Sequence, residues 1–249
     1  MPPVDVLVLL LAIALVAGCL DTLAGGGGLL VLPALILAGL PPLEALGTNK
    51  MQGTMGTATA TVMMLRHKRV RWDVMRPLML YAFAGSGLGS VVIQFVDTGM
   101  LKYLIPVVLV VIAGYFLLSG QLLSRVHPVK LTPHRFGRWI VPAIGGYDGM
   151  IGPGTGSFFS LAIVALQGKP LLEATAMAKC LNFATNLASL LVFLGVGKLV
   201  WQIGLVMMAG QMAGAWLGSH LLFRINPALL RGLIVLMCIA MLIRYFATL

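Results

Sequence analysis

The sequence predicts an all-α polytopic membrane protein built from two inverted homologous halves, and three observations predict it. Of its 249 residues, 59% are hydrophobic and 10% charged, with a mean hydropathy of +1.01. That is too little charge to cover a soluble domain of this size. Several apolar stretches exceed the roughly 18 residues needed to cross a hydrocarbon core. The chain also repeats itself at a nearly constant offset, and the basic residues change sides between the two copies.

Apolar runs occur at about 4–22, 29–40, 46–65, 74–96, 100–118, 139–152, 156–167, 174–196, 202–223 and 229–248. Backbone in lipid must satisfy its own hydrogen bonds, so all ten are expected to be helices or half-helices of one transmembrane domain, residues 1–249. The first run contains Leu15-Val16-Ala17-Gly18-Cys19, which mimics a lipoprotein cleavage box. Met1-Pro2-Pro3-Val4-Asp5 before it has no basic residue of the kind a secretory signal needs, so a first membrane helix is expected. The runs at 29–40 and 156–167 are short, and a glycine-rich turn precedes each. Trp72, Trp139 and Trp201 flank apolar runs, as residues of an interfacial aromatic belt do. Cys19, Cys180 and Cys238 have no CxxC spacing and no neighbouring histidine, so neither disulfide, metal site nor cofactor is expected.

The net charge of +10 would point to nucleic acid in a soluble protein. Here the lysines and arginines cluster in short loops, which is how orientation in a membrane is encoded. The expected location is therefore a bacterial cytoplasmic membrane, crossed many times. The partners expected are lipid and a small anionic substrate, with a homo-oligomer left open, and not nucleic acid.

The repeat is carried by rare residues. Asp21 and Gly25 recur as Asp148 and Gly152, and after a two-residue insertion Glu44, Lys50 and Trp72 recur as Glu173, Lys179 and Trp201. Gly85 and Leu88-Gly89-Ser90 recur as Gly214 and Leu217-Gly218-Ser219, and Leu101-Lys102 as Leu230-Arg231. The halves are about 1–121 and 122–249. Arg66-His67-Lys68-Arg69-Val70-Arg71 faces a counterpart with one lysine, Lys198, whereas the sparse hairpin 97–102 faces one with Arg224 and Arg231. With five crossings per half, loops 66–76, 119–138 and 224–231 all fall on the cytoplasmic side, the signature of an inverted repeat. If runs 29–40 and 156–167 were re-entrant, the repeats would be parallel and Arg224 and Arg231 would lie outside.

In each half an acid and a glycine turn precede a short helix, followed by a second acid and a lysine. Half one reads Asp21-Thr22-Leu23-Ala24-Gly25-Gly26-Gly27-Gly28, and half two Asp148-Gly149-Met150-Ile151-Gly152-Pro153-Gly154-Thr155-Gly156. Glycine runs disfavour helix, so a break is expected, and unwound backbone at membrane depth belongs beside protein or a wet cavity. The helix after each break offers free N–H groups and a positive dipole end, an anion site. Two such ends related by pseudo-symmetry would meet near the midplane, where transporters of this build bind cargo. Glycines 85, 87, 89, 210, 214 and 218 recur inside helical runs and are expected to allow close helix packing instead.

The third run of each half is unusually polar. Lys50, Thr54, Thr57 and Thr61 share one helix face, as do Lys179, Asn182, Asn186 and Ser189. Such a stripe suits a cavity wall, and interhelical hydrogen bonding is the bland alternative, evenly matched for Thr57 and Thr61. The expected substrate site is Gly25, Gly26, Gly27, Gly28, Gly152, Gly154, Thr155, Gly156 and Ser157, with charge from Lys50 and Lys179. Hydrogen bonds would come from Thr48, Asn49, Gln52, Asn182 and Asn186. Intramembrane acids default to function, so Asp21 and Asp148 are candidates for coupling to H⁺ or Na⁺, or for capping the helices that follow. Glu44 and Glu173 read as interfacial caps or ion-pair partners. No Walker A pattern, HExxH or GxSxG is present, which excludes direct use of ATP and leaves an enzyme without machinery. Ser157 lacks a placed base. An anion channel is the rival to a carrier, and a scaffold would not explain the recurring ionisable residues.

GGGGLLVLPALILAGLPPLEALGTNKMQG at 25–53 resembles the first signature of the TauE/SafE sulfite exporter family, and YDGMIGPGTGSFFSLAIVALQGKPLLEATAMAKCLNFATN at 147–186 the second. The similarity covers nearly the whole chain and is nearest the YfcA-like branch. It implies transport of sulfite, thiosulfate, a sulfonate such as sulfoacetate, or a related small organic anion. The second turn, interrupted by Pro153 and Thr155, departs from the four glycines of the first, so the halves need not contribute equally.

Overall fold

The computed structural model describes residues 3–96 and 128–222, with Arg224, Leu236 and Ile239. Lys102, His127, Cys238, the run at 100–118, the run at 229–248 apart from Leu236 and Ile239, and residues 119–127 and 225–231 of the basic loops 119–138 and 224–231 lie outside the described residues.

Helices make up the described chain, with no strand among the described residues. Half one holds α1 (Val4–Ala24), α2 (Gly27–Leu37), α3 (Pro42–Arg66) and α4 (Trp72–Val92), closed by the 3-10 turn Ile93–Phe95. Half two starts with a helical turn, Pro133–Arg135, and a π-turn, Phe136–Ile140, which lead into α5 (Val141–Met150). Then follow α6 (Thr155–Gln167), α7 (Leu171–Gly195) and α8 (Trp201–Leu221). Prolines open several of these helices: Pro42 stands first in α3 and Pro133 first in its turn, where the missing N–H costs nothing.

Val4–Ala24, Trp72–Phe95 and Leu171–Gly195 are long and apolar enough to cross a membrane, with mean hydropathies of 2.6, 1.5 and 1.5. The large side chains they expose, Leu9, Leu80, Leu88 and Leu191 among them, are what a lipid-facing surface carries. At 1.5 Å per residue the 11-residue α2 and 13-residue α6 reach about 16–20 Å, short of the roughly 30 Å hydrocarbon core. Each is a half-helix. Gly27 at the start of α2 lies against Ala17 and Asp21, so α2 turns back along α1.

The halves pack by exchange. α1 lies along α8, and α5 lies along α4. Both contacts run in parallel: Gly210, Gly214 and Gly218 meet Leu11, Leu15 and Cys19 in turn, and Gly85 and Gly89 meet Pro142 and Gly146. α3 and α7 cross at the centre and run antiparallel, since Lys50 meets Asn186 while Thr61 bonds the Lys179 carbonyl. Apolar cores flank this centre, two of them large. One gathers Leu10, Leu29, Leu32, Leu35 and Met207, and the other Met75, Phe136, Phe159, Ile163 and Leu181.

The glycine contacts are backbone to backbone. A Cβ on Gly89 would stand 2.1 Å from the Gly146 carbonyl oxygen, and one on Gly85 2.2 Å from that of Pro142. Beside them Ser86 and Ser90 bond Ser189 at 2.7 and 2.8 Å, and Ser86 also bonds the Thr185 carbonyl. Ser189 thus serves helix packing rather than a cavity. Gly87 departs from the expected packing role: its Cβ would meet nothing within 4 Å, because it faces away from α5. Gly89→Ala is therefore expected to destabilise the protein by about 1–3 kcal/mol, the cost of overpacking. Gly87→Ala should be neutral or stabilising by up to about 1 kcal/mol through helix propensity. Thermal unfolding of both variants in detergent, where equal shifts would contradict this assignment, checks it.

Candidate functional site

The site begins where two helices fail. α1 ends at Ala24 because Gly25 turns left-handed, with φ of 79°. A Cβ there would fall 2.3 Å from the Ser157 nitrogen, so the chain passes directly over the start of α6 and only glycine fits. α5 ends at Met150, and Gly152 and Gly154, with φ of 93° and 78°, carry its turn. The two breaks abut: the Ser157 hydroxyl donates to the Ala24 carbonyl, and Gly28 packs over Pro153. Both breaks are narrower than the glycine runs predicted. Gly27 and Gly28 form the first turn of α2, and Thr155 and Gly156 that of α6. A first turn asks nothing of its own N–H groups from within the helix, so glycines there are tolerated once an outside acceptor is supplied. Asp21 supplies one, its Oδ1 accepting from the Gly27 N–H at 3.1 Å.

Behind the breaks stand the two lysines, each at the ninth position of a 25-residue helix. Both are fully buried, and each pairs with the aspartate of the opposite half. Lys50 Nζ lies 2.9 Å from Asp148 Oδ1, with exposures of 1% and 2% for the two side chains. Lys179 Nζ lies 3.4 Å from Asp21 Oδ2 and also donates to the Asp21 main-chain carbonyl. Each ammonium is thus paired, because a lone one in this interior would cost far more than a paired one. Glu173 does not reach Lys179; it pairs with Lys169 one turn away, and Glu44 is half-buried at the start of α3.

A small polar cavity lies between the breaks and the α3–α7 crossing. Its volume is about 20 Å³, room for a water-sized group. Of the expected site, Asp21, Gly25, Gly28, Asn49, Lys50 and Gln52 border it from half one. Asp148, Gly152, Gly154, Thr155, Asn182 and Asn186 border it from half two. Gly26, Gly27, Gly156, Ser157 and Lys179 stand behind the lining. Thr48 is elsewhere, its hydroxyl accepting from the Val200 N–H at 3.1 Å to hold the α7–α8 loop. Thr57 lines the cavity, whereas Thr61 makes the interhelical bond to the Lys179 carbonyl.

Sequence reasoning missed Gly53 and Gln211. Gln211 is 2% exposed and its side chain lies over Gly56. The available signal was an uncharged polar residue inside an apolar run, at the position where the repeat puts Ala82. Gln52, likewise, stands where the other half has Leu181.

Chemically the lining offers one ammonium, at Lys50, which also reaches Asn186 Oδ1 at 3.4 Å. It offers the starts of α2 and α6, whose dipoles favour negative charge. Gln52 Nε2 donates to Asn49 at 2.9 Å, and Asn186 Nδ2 to Asn182 at 3.4 Å, so the amides form short chains along each helix. Among the described residues three buried acceptors, Gln52 Oε1, Gln211 Oε1 and Asp148 Oδ2, have no donor. A hydrogen-bond donor, water included, complements those acceptors, and a negative charge complements Lys50 and the helix starts. Among the described residues no cluster of histidine, cysteine and carboxylate side chains could hold a metal ion.

Comparison with known proteins places this architecture. Residues 10–245 match the family described as Sulfite exporter TauE/SafE. A "Probable membrane transporter protein" of Haemophilus influenzae is 40% identical over 238 residues, covering 96% of this chain and 93% of that one. "Probable membrane transporter protein ORF9" of a Sinorhizobium species is 41% identical over 241 residues, 97% and 92% of the two chains. "Probable membrane transporter protein YfcA" of Escherichia coli K12 is 38% identical over 229 residues, 92% and 85% of the two. No solved structure matches significantly. With a family match over nearly its whole length and relatives that are membrane transporters rather than enzymes, the chain belongs to the TauE/SafE sulfite exporter family.

Proposed function

We propose that this membrane protein is a secondary active transporter that carries a small anion across the cytoplasmic membrane by alternating access. The observation that carries the reading is the cavity bordered by Lys50 and by the first turns of both half-helices. Electropositive helix starts converging on one buried cation are suited to an anion, and half-helices meeting at the protein centre are how such transporters hold cargo. The cargo is sulfite, as the family's description suggests, or a similar small anion such as thiosulfate, a sulfonate or a related organic anion, with Asn49, Gln52, Asn182 and Asn186 as hydrogen-bonding partners. Asp21 or Asp148 couples its movement to H⁺ or Na⁺.

We read the halves, about 1–121 and 122–249, as inverted repeats. Although α2 and α6 are too short to span, the antiparallel run of α3 and α7 supports this over parallel repeats, because equivalent helices related by an axis along the membrane normal would run parallel. The exchange of α1 and α5 between halves supports it too. An inverted pair lets one half rock against the other about a fixed site. A channel is the second reading, and the ion pairs that tie α3 and α7 to the broken helices at the cavity favour an occluded cargo over an open pore.

Reconstituted protein should take up labelled sulfite, thiosulfate or methanesulfonate with saturable counterflow; unitary conductance without counterflow would favour the channel. Lys50→Ala should lower uptake at least about tenfold while the protein stays folded, since Lys50 borders the cavity. Lys179→Ala should act through stability instead, costing about 3–5 kcal/mol by leaving Asp21 buried and unpaired, with partial recovery in Lys179→Ala/Asp21→Asn. Uptake beside thermal melts of the three variants separates the two roles, and wild-type uptake by Lys50→Ala would remove that lysine from the mechanism. Gln211→Leu should change the order of preference among the three anions, by about 1–3 kcal/mol between a donor-bearing and a donor-free cargo. Competition assays read this directly, and an unchanged order would take Gln211 out of recognition.

A further inference from the structure

The two lysine–aspartate pairs are equivalent in the repeat and unequal in the structure, and the inequality identifies the coupling group. In the Lys179–Asp21 pair every carboxylate oxygen is committed. Asp21 Oδ1 accepts from the Gly27 N–H, and Oδ2 faces Lys179, which does not border the cavity. This pair ties the broken end of α1 to α7. In the Lys50–Asp148 pair both partners border the cavity. Asp148 Oδ1 takes the Thr155 hydroxyl at 2.6 Å and Lys50 at 2.9 Å, while Oδ2 is buried and has no donor among the described residues.

Resting on the transport reading above, we propose that Asp148 is the proton carrier and that anion and proton are coupled by exchange of partners at Lys50. An incoming anion competes with Asp148 Oδ1 for the Lys50 ammonium. Ammonium, carboxylate and anion together would leave an uncompensated negative charge in a water-poor site, so the loaded cavity takes up one proton, on Oδ2. The loaded state holds Lys50⁺, anion and neutral Asp148, and the empty state holds the closed Lys50–Asp148 pair. For a monoanion both are neutral, so both can cross. On the far side the anion leaves Lys50, the proton leaves Oδ2 for water, and the pair closes again. The stoichiometry is one proton per anion, moving in the same direction.

The groups around Asp148 fit this assignment. From α3 comes Lys50 and from α6 the Thr155 hydroxyl, while Asp21 of α1, which borders the same cavity, is held by Lys179 of α7. Tyr147, on α5 itself, is committed by its hydroxyl to the Pro153 carbonyl at 2.6 Å. The ammonium on Oδ1 also argues for a proton over Na⁺, because a metal cation beside Lys50 would be repelled and would need several more oxygens.

The test uses the full chain in proteoliposomes, with labelled sulfite, thiosulfate and methanesulfonate measured by counterflow and then by end-point accumulation under an imposed pH gradient. Wild-type protein should accumulate methanesulfonate about tenfold per pH unit, the equivalence of one proton. Asp148→Asn should slow counterflow several-fold and bring the accumulation ratio to about one, whatever rate remains. Asp148→Glu should recover the gradient response, and it decides the matter if Asp148→Asn is silent. Asp21→Asn should respond to the gradient in its folded fraction. A retained response in Asp148→Asn, no response in Asp148→Glu, accumulation driven by sodium instead of pH, or loss of coupling in Asp21→Asn with retention in Asp148→Asn would each overturn the assignment while leaving transport intact. Absence of counterflow for all three anions would overturn the transport reading and this one with it.

Discussion

A lysine in the interior of a membrane protein must either be neutralised or be used, and here two lysines are neutralised by carboxylates from the other half of the chain. That crossed pairing is the constraint on which the rest of the centre depends. Lys50 can meet Asp148 only if α3 lies against the broken end of α5, and Lys179 can meet Asp21 only if α7 lies against the broken end of α1. Satisfying both at once brings α3 and α7 together and draws the two breaks into contact. The cavity follows as the space left where four helix segments with polar faces converge.

Close backbone approach supplies the geometry that the ion pairs need. α1 nests against α8 and α5 against α4 through glycines whose positions a single added carbon would fill with clash. In lipid there is little hydrophobic gain from helix association, so such small-residue contacts and the Ser86–Ser90–Ser189 network do the joining. They also place Asp21 and Asp148 correctly, since each sits on the helix that is clamped this way. The apolar cores on either side are conventional packing and leave the polar centre to be shaped by these contacts.

Much of this was legible in the residues. The broken helices, the lysines, the acids beside the breaks and the amides of α3 and α7 were all marked by polarity or glycine density in apolar surroundings. What was not legible was partnership. Lys50 and Asp148 lie far apart in the chain, and nothing local says that each acid crosses to the other half's lysine; the nearer Glu44 and Glu173 looked equally suitable. Thr48 shared a helix turn with true lining residues but faces the α7–α8 loop, a distinction of about 100° per residue that composition does not resolve. Gly87 carried the same spacing pattern as its packed neighbours, yet it sits on the opposite face of α4. Gln211 was passed over because its helix otherwise reads as apolar packing.

The departures from repetition mark the site more sharply than the repetition does. The framework is doubled: breaks, ion pairs, glycine seams and half-helices occur once in each half. The lining is single, with Gln52 and Gln211 standing where the opposite halves have Leu181 and Ala82. One lysine borders the cavity and its counterpart does not. A doubled framework suits two mirror-related conformations of similar energy, which a carrier that opens alternately to each side requires. A single asymmetric lining suits one cargo bound in one orientation. If both ion pairs opened in the proposed cycle, the frame would lose the contact that holds its broken helices together. With one pair committed to the backbone and the other facing the cavity, the centre can change partners without coming apart.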